Sequence, residues 1–153
     1  MSNLPPSMPR ACSNFRLRQL MRRVSQHYDA ELGKGGLKTT QYSLLSHVAR
    51  LGPLRPGELA HSMSIDASTL TRNLKPLVAA GLLSVAPGSD GRSHAVAITA
   101  LGRSKRNDAQ RHWKAAQDAL EALLGEEDVS AMHALIDRCL ERFSKVEAGN
   151  SHA

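Results

Sequence analysis

Arg55-Pro56-Gly57-Glu58-Leu59-Ala60-His61-Ser62-Met63, then Ser64-Ile65-Asp66, then Ala67-Ser68-Thr69-Leu70-Thr71-Arg72-Asn73-Leu74-Lys75-Pro76-Leu77-Val78-Ala79-Ala80-Gly81 is the stretch that decides the fold. Its first part predicts a short helix with proline in the first turn, where a missing N–H costs nothing. Ser64-Ile65-Asp66 is a tight turn in which Asp66 or Ser64 can accept from the free amides of the next helix. Residues 67–80 predict that helix, and Gly81 closes it. Two short helices joined by a tight turn read as helix-turn-helix.

At 100° per residue, Leu70, Leu74 and Leu77 fall within about 60° of one another and face the core. Ser68, Arg72, Lys75 and Ala79 then point outward, with Thr69 and Thr71 on the flanks. No acid lies between Ala67 and Gly81, whereas a plain solvated helix face more often carries Glu–Lys pairs. A small, hydroxylated, basic face suits a DNA major groove, where hydroxyls reach phosphates and Arg pairs bidentately with guanine. Pro76 removes the hydrogen bond to the Arg72 carbonyl and predicts a bend in the second half of this helix.

Downstream, the period changes from helical to two. Leu83 and Val85 alternate with Ser84 and Ala86, and Pro87-Gly88-Ser89-Asp90-Gly91-Arg92 supplies turn chemistry. Val96 and Ile98 alternate on the return strand. A hairpin placed directly after a helix-turn-helix is a wing. Arg92 at its tip is positioned for an adjacent minor groove, and Asp90 is the residue expected to hold the tip through backbone N–H groups.

Outward from this centre the pattern is helical. Leu17, Leu20, Met21, Val24, Tyr28 and Leu32 form a stripe with Ser13 as the expected cap, ended by Gly33, Gly35 and Gly36. Thr39 or Thr40 is expected to cap a second helix with Tyr42, Leu44, Leu45, Val48 and Leu51 inward, stopped by Gly52-Pro53. Beyond the wing, Thr99 caps a long helix through Leu101, Ala109, Trp113, Ala116, Leu120, Leu123 and Leu124 to Gly125. A last helix carries Val129, Met132, Leu135, Ile136, Leu140 and Phe143. Residues 1–11, with three prolines, read as a flexible arm. The fold class is mainly α with a small β-hairpin wing: a winged helix-turn-helix at 39–100 between a first long helix at 12–38 and C-terminal helices at 101–148, with a tail at 149–153.

Composition agrees. The chain has 153 residues, a net charge of +6 and five aromatic residues, which disfavours stacking platforms for single-stranded RNA. Residues 53–106 hold seven Lys/Arg against three acids, whereas residues 107–153 hold five against nine. The basic middle therefore suits a polyanion and the acidic third something else. No apolar run approaches a membrane span and no signal-peptide pattern opens the chain, so the expected address is the cytoplasm with no membrane partner. There is no phosphate-binding Gly-rich loop after a strand and no GxSxG, so no enzyme is expected. Seven histidines without HxH or HExxH spacing, and two cysteines without CxxC, predict no metal and no cofactor.

The order of elements resembles the multiple antibiotic resistance regulator (MarR) family of winged-helix repressors. Thr40-Gln41-Tyr42-Ser43-Leu44-Leu45, Glu58-Leu59-Ala60, Ser68-Thr69-Leu70-Thr71-Arg72, Ala80-Gly81-Leu82-Leu83 and above all Asp90-Gly91-Arg92 with Val96-Ala97-Ile98-Thr99 and Gly102 carry that resemblance, across residues 12–145. It implies a homodimeric repressor, with the first and last helices forming one intertwined dimerisation region over a pseudo-palindromic double-stranded DNA operator. Ser68, Thr69, Thr71, Arg72 and Lys75 become the recognition-helix contacts, and Arg92 the minor-groove contact. The alternative is a winged helix used for protein contact without specific DNA binding.

The resemblance also implies release of the operator by a small ligand or by thiol modification with an oxidant or thiophile. Arg18, Tyr28, Tyr42, His47 and Trp113 are the candidate lining of a ligand crevice, and core packing explains Tyr28 and Tyr42 equally. Cys12, at a helix start beside Arg10 and Arg16, occupies the kind of setting that makes thiols reactive. Cys12 and Cys139 are accordingly the candidate sensor pair, against the reading of two unrelated cysteines.

Overall fold

The computed structural model describes residues 12–88 and 90–150. The expected N-terminal arm at 1–11, Ser89 of the wing turn and residues 151–153 lie outside the described residues. In chain order the elements are α1 (Ser13–Leu32), α2 (Thr39–Leu51), α3 (Pro56–Ser62), α4 (Ala67–Ala79), β1 (Leu83–Pro87), β2 (His94–Ile98), α5 (Ala100–Leu124) and α6 (Glu126–Asn150). The chain divides into two compact units, and the boundary, between Ala116 and Gln117, falls inside α5.

The first unit holds the winged helix. Its core gathers Leu32, Leu37, Tyr42, Leu44, Leu45, Val48, Leu59, Leu70, Leu74, Leu77, Leu82, Leu83, Val96 and Ala109. The 3.6-residue stripes of α2 and α4 thus converge on one another, with the inner end of the hairpin completing the layer. Leu70, Leu74 and Leu77 are buried as the spacing requires. Leu51 is an exception: at the last turn of α2, where the chain leaves the helix at Gly52 in extended backbone, it is 45% exposed.

Strands β1 and β2 pair antiparallel with Leu83 opposite Ile98 and Val85 opposite Val96. Leu54 adds a bridge to Val96, its N–H donating at 3.1 Å and its carbonyl accepting at 2.8 Å. The two strands are covered unequally: on β1 Leu83 is buried but Val85, expected inward, is exposed, whereas β2 is buried at Val96 and partly buried on either side of it. Val96, directly opposite Val85, is buried beside Leu54, so it is the β1 side of the hairpin that lacks cover, and alternation there does not mean burial.

Caps also depart from expectation at two helices. Cys12, not Ser13, holds the N-cap position of α1, and no side chain caps it. Lys38 precedes α2, its backbone N–H on Gln41 Oε1 at 2.9 Å. Thr39 instead turns to α1, its N–H and hydroxyl both donating to Asp29 Oδ1 at 2.7 Å. Thr99 performs as expected at the start of α5, accepting from Gly102 N–H at 3.0 Å and donating to the Gly81 carbonyl at 2.6 Å. Gly102 is required there: a Cβ would run into the Leu82 carbonyl.

The first long helix ends at Leu32 with a 3-10 turn at Gly33–Gly35, short of residue 38. Leu17 and Met21 on its stripe are exposed. The Lys34 ammonium, 2.6 Å from Glu31, holds that carboxyl below its ordinary value, and His112 of α5 lies 3.4 Å from its other oxygen.

The second unit comprises the end of α5, a turn at Gly125 and α6. Leu120 and Val129 are buried, while Leu123, Leu135, Ile136, Leu140, Phe143 and Val146 are exposed. Helix α6 continues to Asn150, so residues 149 and 150 are helical where a tail is expected. Among the described residues no helix is long and apolar enough to cross a membrane, and no three His, Cys, Asp or Glu gather into a metal-sized cluster.

Candidate nucleic-acid interface

The outward face of α4 is built by its own N-cap. Asp66 Oδ1 accepts from Thr69 N–H at 2.7 Å and from the Ser68 hydroxyl at 2.6 Å, and Oδ2 accepts from the Thr69 hydroxyl at 2.9 Å. These donors, the Ser68 hydroxyl foremost, lower the Asp66 pKa from 3.8 to about 2. Asp66 rather than Ser64 is therefore the cap, and Ser64 takes a left-handed conformation with φ 53° to make the turn. Thr71 donates its hydroxyl to the Ala67 carbonyl at 2.9 Å. Arg72 Nη2 donates to Thr69 Oγ1 at 3.4 Å.

Ser68, Thr71, Arg72 and Lys75 are exposed and Thr69 is half-buried. All three hydroxyls donate within the helix. Outward they offer lone pairs, which match the amino groups of cytosine and adenine in a major groove better than they match phosphate. Arg72 and Lys75 supply the positive charge. Pro76 sits inside α4 without ending it, and the helix continues to Ala79. Gly81, at φ 71°, lets the chain leave the helix for β1.

The wing tip is organised by Asp90. Its Oδ1 accepts from Arg92 N–H at 3.1 Å, Ser93 N–H at 3.0 Å and the Ser93 hydroxyl at 2.7 Å. The Ser93 backbone bond is the largest cause lowering its pKa from 3.8 to about 2. Arg92 projects, exposed, from the turn so held. Sequence reasoning missed one partner: Arg55, before α3, places its guanidinium 3.7 Å from Asp90 Oδ2.

A second feature lies between α2 and α5, still within the first unit. An open crevice of about 380 Å³ is lined by Tyr42, Ser46, His47, Arg106, Gln110 and Trp113. Tyr42 stacks on Trp113 with centroids 6.3 Å apart, and Arg106 stands 5.9 Å over the Tyr42 ring. Arg106 Nε donates to Ser46 Oγ at 3.2 Å, and His47 Nδ1 lies 2.8 Å from the Ser43 carbonyl. Tyr42, His47 and Trp113 of the candidate lining thus share this crevice. Arg18 and Tyr28 do not. Arg18 is exposed on α1, bonded to Asn14, and Tyr28 packs against the core edge-on to His27. Arg106 went unnoticed in the sequence, although its spacing of seven from Trp113 places both on one helix face. Cys12 and Cys139 are both free and exposed, one in each unit.

A helix-turn-helix with a basic, hydroxylated outward helix, an Asp-held hairpin wing and flanking long helices is a winged helix-turn-helix protein. The MarR family model matches residues 35–93, which span α2 to the wing tip. An uncharacterized HTH-type transcriptional regulator of Bacillus subtilis, YxaD, is 36% identical over 90 residues, or 58% of this chain. The match spans 63% of that relative's length. Among solved structures, the Mycobacterium tuberculosis regulator MosR in complex with DNA is 29% identical with a TM-score of 0.68, covering 84% of this chain and 98% of that one. A mutant MarR from Escherichia coli complexed with operator DNA has a TM-score of 0.76, covering 83% and 92%. At 19% identity it speaks for the fold alone.

Proposed function

We propose that the protein is a homodimeric transcriptional repressor in the cytoplasm, without catalytic activity, that binds a pseudo-palindromic double-stranded operator. The observation that carries this reading is the two-sided build of α4: Leu70, Leu74 and Leu77 are buried while Ser68, Thr71, Arg72 and Lys75 stand exposed on an acid-free face. Ser68, Thr69, Thr71, Arg72 and Lys75 read the major groove and Arg92 enters the minor groove. MosR, similar over most of the chain, is a regulator in complex with DNA. The exposed apolar residues of α1 and α6 are the dimer surface, since two half-sites need two winged helices.

Release of the operator is assigned to the α2–α5 crevice or to a thiol. The crevice, with an aromatic pair and one guanidinium, falls within the volume range of small-ligand sites. Cys12 and Cys139 are exposed to oxidants and thiophiles. A gel-shift titration against salt, using the intergenic DNA beside the gene, tests the core of this reading. The expected result is operator binding whose logarithm falls steeply with log salt. Absent or salt-insensitive binding overturns it in favour of a protein-contact module. Non-reducing gels after peroxide test the thiol arm, and an unchanged mobility with unchanged operator affinity eliminates it.

A further inference from the structure

We propose that Arg55 is a positioning residue for the wing: its guanidinium on Asp90 sets where the wing tip, and Arg92 with it, stands relative to α3. This rests on the DNA-binding reading above for its functional consequence, though not for its structural one.

The two oxygens of Asp90 do different jobs. Oδ1 takes three donors, all from the turn itself: Arg92 N–H, Ser93 N–H and the Ser93 hydroxyl. Those bonds shape the turn but do not aim it, since every partner moves with the wing. Oδ2 faces outward to Arg55 at 3.7 Å, and Arg55 belongs to the helix-turn-helix.

Arg55 starts from anchored backbone. Its N–H donates to Glu58 Oε2 at 2.9 Å, and Leu54 before it exchanges two hydrogen bonds with Val96. Residues 54 and 55 therefore grip the wing twice, its base through the backbone and its tip through the ion pair. Between the two grips lies an open cleft of about 320 Å³, lined by Pro53, Arg55, Glu58, Gly88, Ser93 and His94. The β1 side of the wing has little apolar packing to orient it, since every β1 residue after Leu83 is exposed. An ion pair between groups this exposed adds little to stability. Its effect is on direction, and a displaced tip would misplace Arg92 on the groove.

The test uses Arg55→Gln, Arg55→Lys, Asp90→Asn and the Arg55→Gln/Asp90→Asn double variant in the full chain. The amide that Asp90→Asn introduces keeps an oxygen for the turn amides but loses the charge that faces Arg55. In the free protein, 15N relaxation order parameters at residues 90–93 should fall in Arg55→Gln and stay high at 94–98. Arg55→Lys should restore part of the tip order. On operator DNA each neutralising variant should weaken binding about 3- to 10-fold, the double variant no further, with the salt slope unchanged.

A slope lower by about 0.9, the value for one lost phosphate contact, with undisturbed tip order would make Arg55 a direct DNA contact and overturn the proposal. Additive losses would overturn it too. If the native protein binds no DNA, the functional reading fails by itself, and the relaxation data still decide whether Arg55 aims the wing.

Discussion

The region from Leu32 to Ala109 and the region from Gln117 to Asn150 are both leucine-rich, yet they treat their leucines oppositely. In the first, Leu32, Leu44, Leu45, Leu59, Leu70, Leu77 and Leu83 are almost wholly buried, and among its leucines Leu51 and Leu101 alone stand exposed. In the second, Leu123, Leu135, Leu140 and Phe143 are more than half exposed, and only Leu120 and Val129 are buried. Short helices with tight turns fold back so that each stripe meets another stripe. A 25-residue helix such as α6 instead presents a stripe longer than its own unit can cover. Contiguous apolar surface of this kind marks an interface. The first region is finished within one chain, and the second is, on the dimer reading, finished by another copy.

The largest expected effect sharpens the finished side. Leu44→Ala should cost about 2–5 kcal/mol in urea unfolding, the range for emptying a packed leucine site. A loss within about 0.5 kcal/mol, the scale of surface changes, would mean that this core is not the one holding the winged helix together. Leu140→Asp with Phe143→Asp probes the unfinished side. It should abolish the two-chain mass in sedimentation equilibrium and weaken operator binding on the order of 100-fold, as avidity between half-sites is lost. Persistence of the dimer would break the comparison at its root.

Smaller effects belong to the surface that the finished core displays. Arg72→Ala should cost about 1–3 kcal/mol of discrimination at one base pair of the operator, with unfolding stability nearly unchanged. Selection from randomised duplexes would detect this, and an unaltered preference would remove Arg72 from the reading face. The smallest effect is acid sensitivity. Asp66 and Asp90 have pKa values lowered from 3.8 to about 2 in the folded chain. Their stabilisation is present above pH 4 and disappears as pH falls toward 2, because protonation then favours the unfolded chain. Thermal unfolding between pH 4 and 2 should decline less steeply in Asp90→Asn than in the native protein. Parallel declines would show that the turn bonds do not depend on the charge.

Much of the candidate interface was legible because its causes are local. Asp66 stands directly before its helix, Asp90 two and three residues from its partners, and Leu70, Leu74 and Leu77 on one helical face. The failures share a cause. Thr39 looks like a cap, yet its hydroxyl goes to Asp29 on another helix. Val85 and Leu51 look inward by period, yet each is nearly half exposed. Periodicity tells which residues share a face but not whether that face is covered.

Residue order alone was enough for the helix-turn-helix, the wing, the acid-free outward face and the carboxylates that shape both, because these depend on residues a few positions apart. It took tertiary packing to bridge Leu54 to Val96, to bring Arg55 to Asp90, and to stand Arg106 over Tyr42 beside Trp113. Those contacts join residues separated by 35 to 71 positions, and no local preference encodes them. They arise when burial of the leucine stripes brings the elements together.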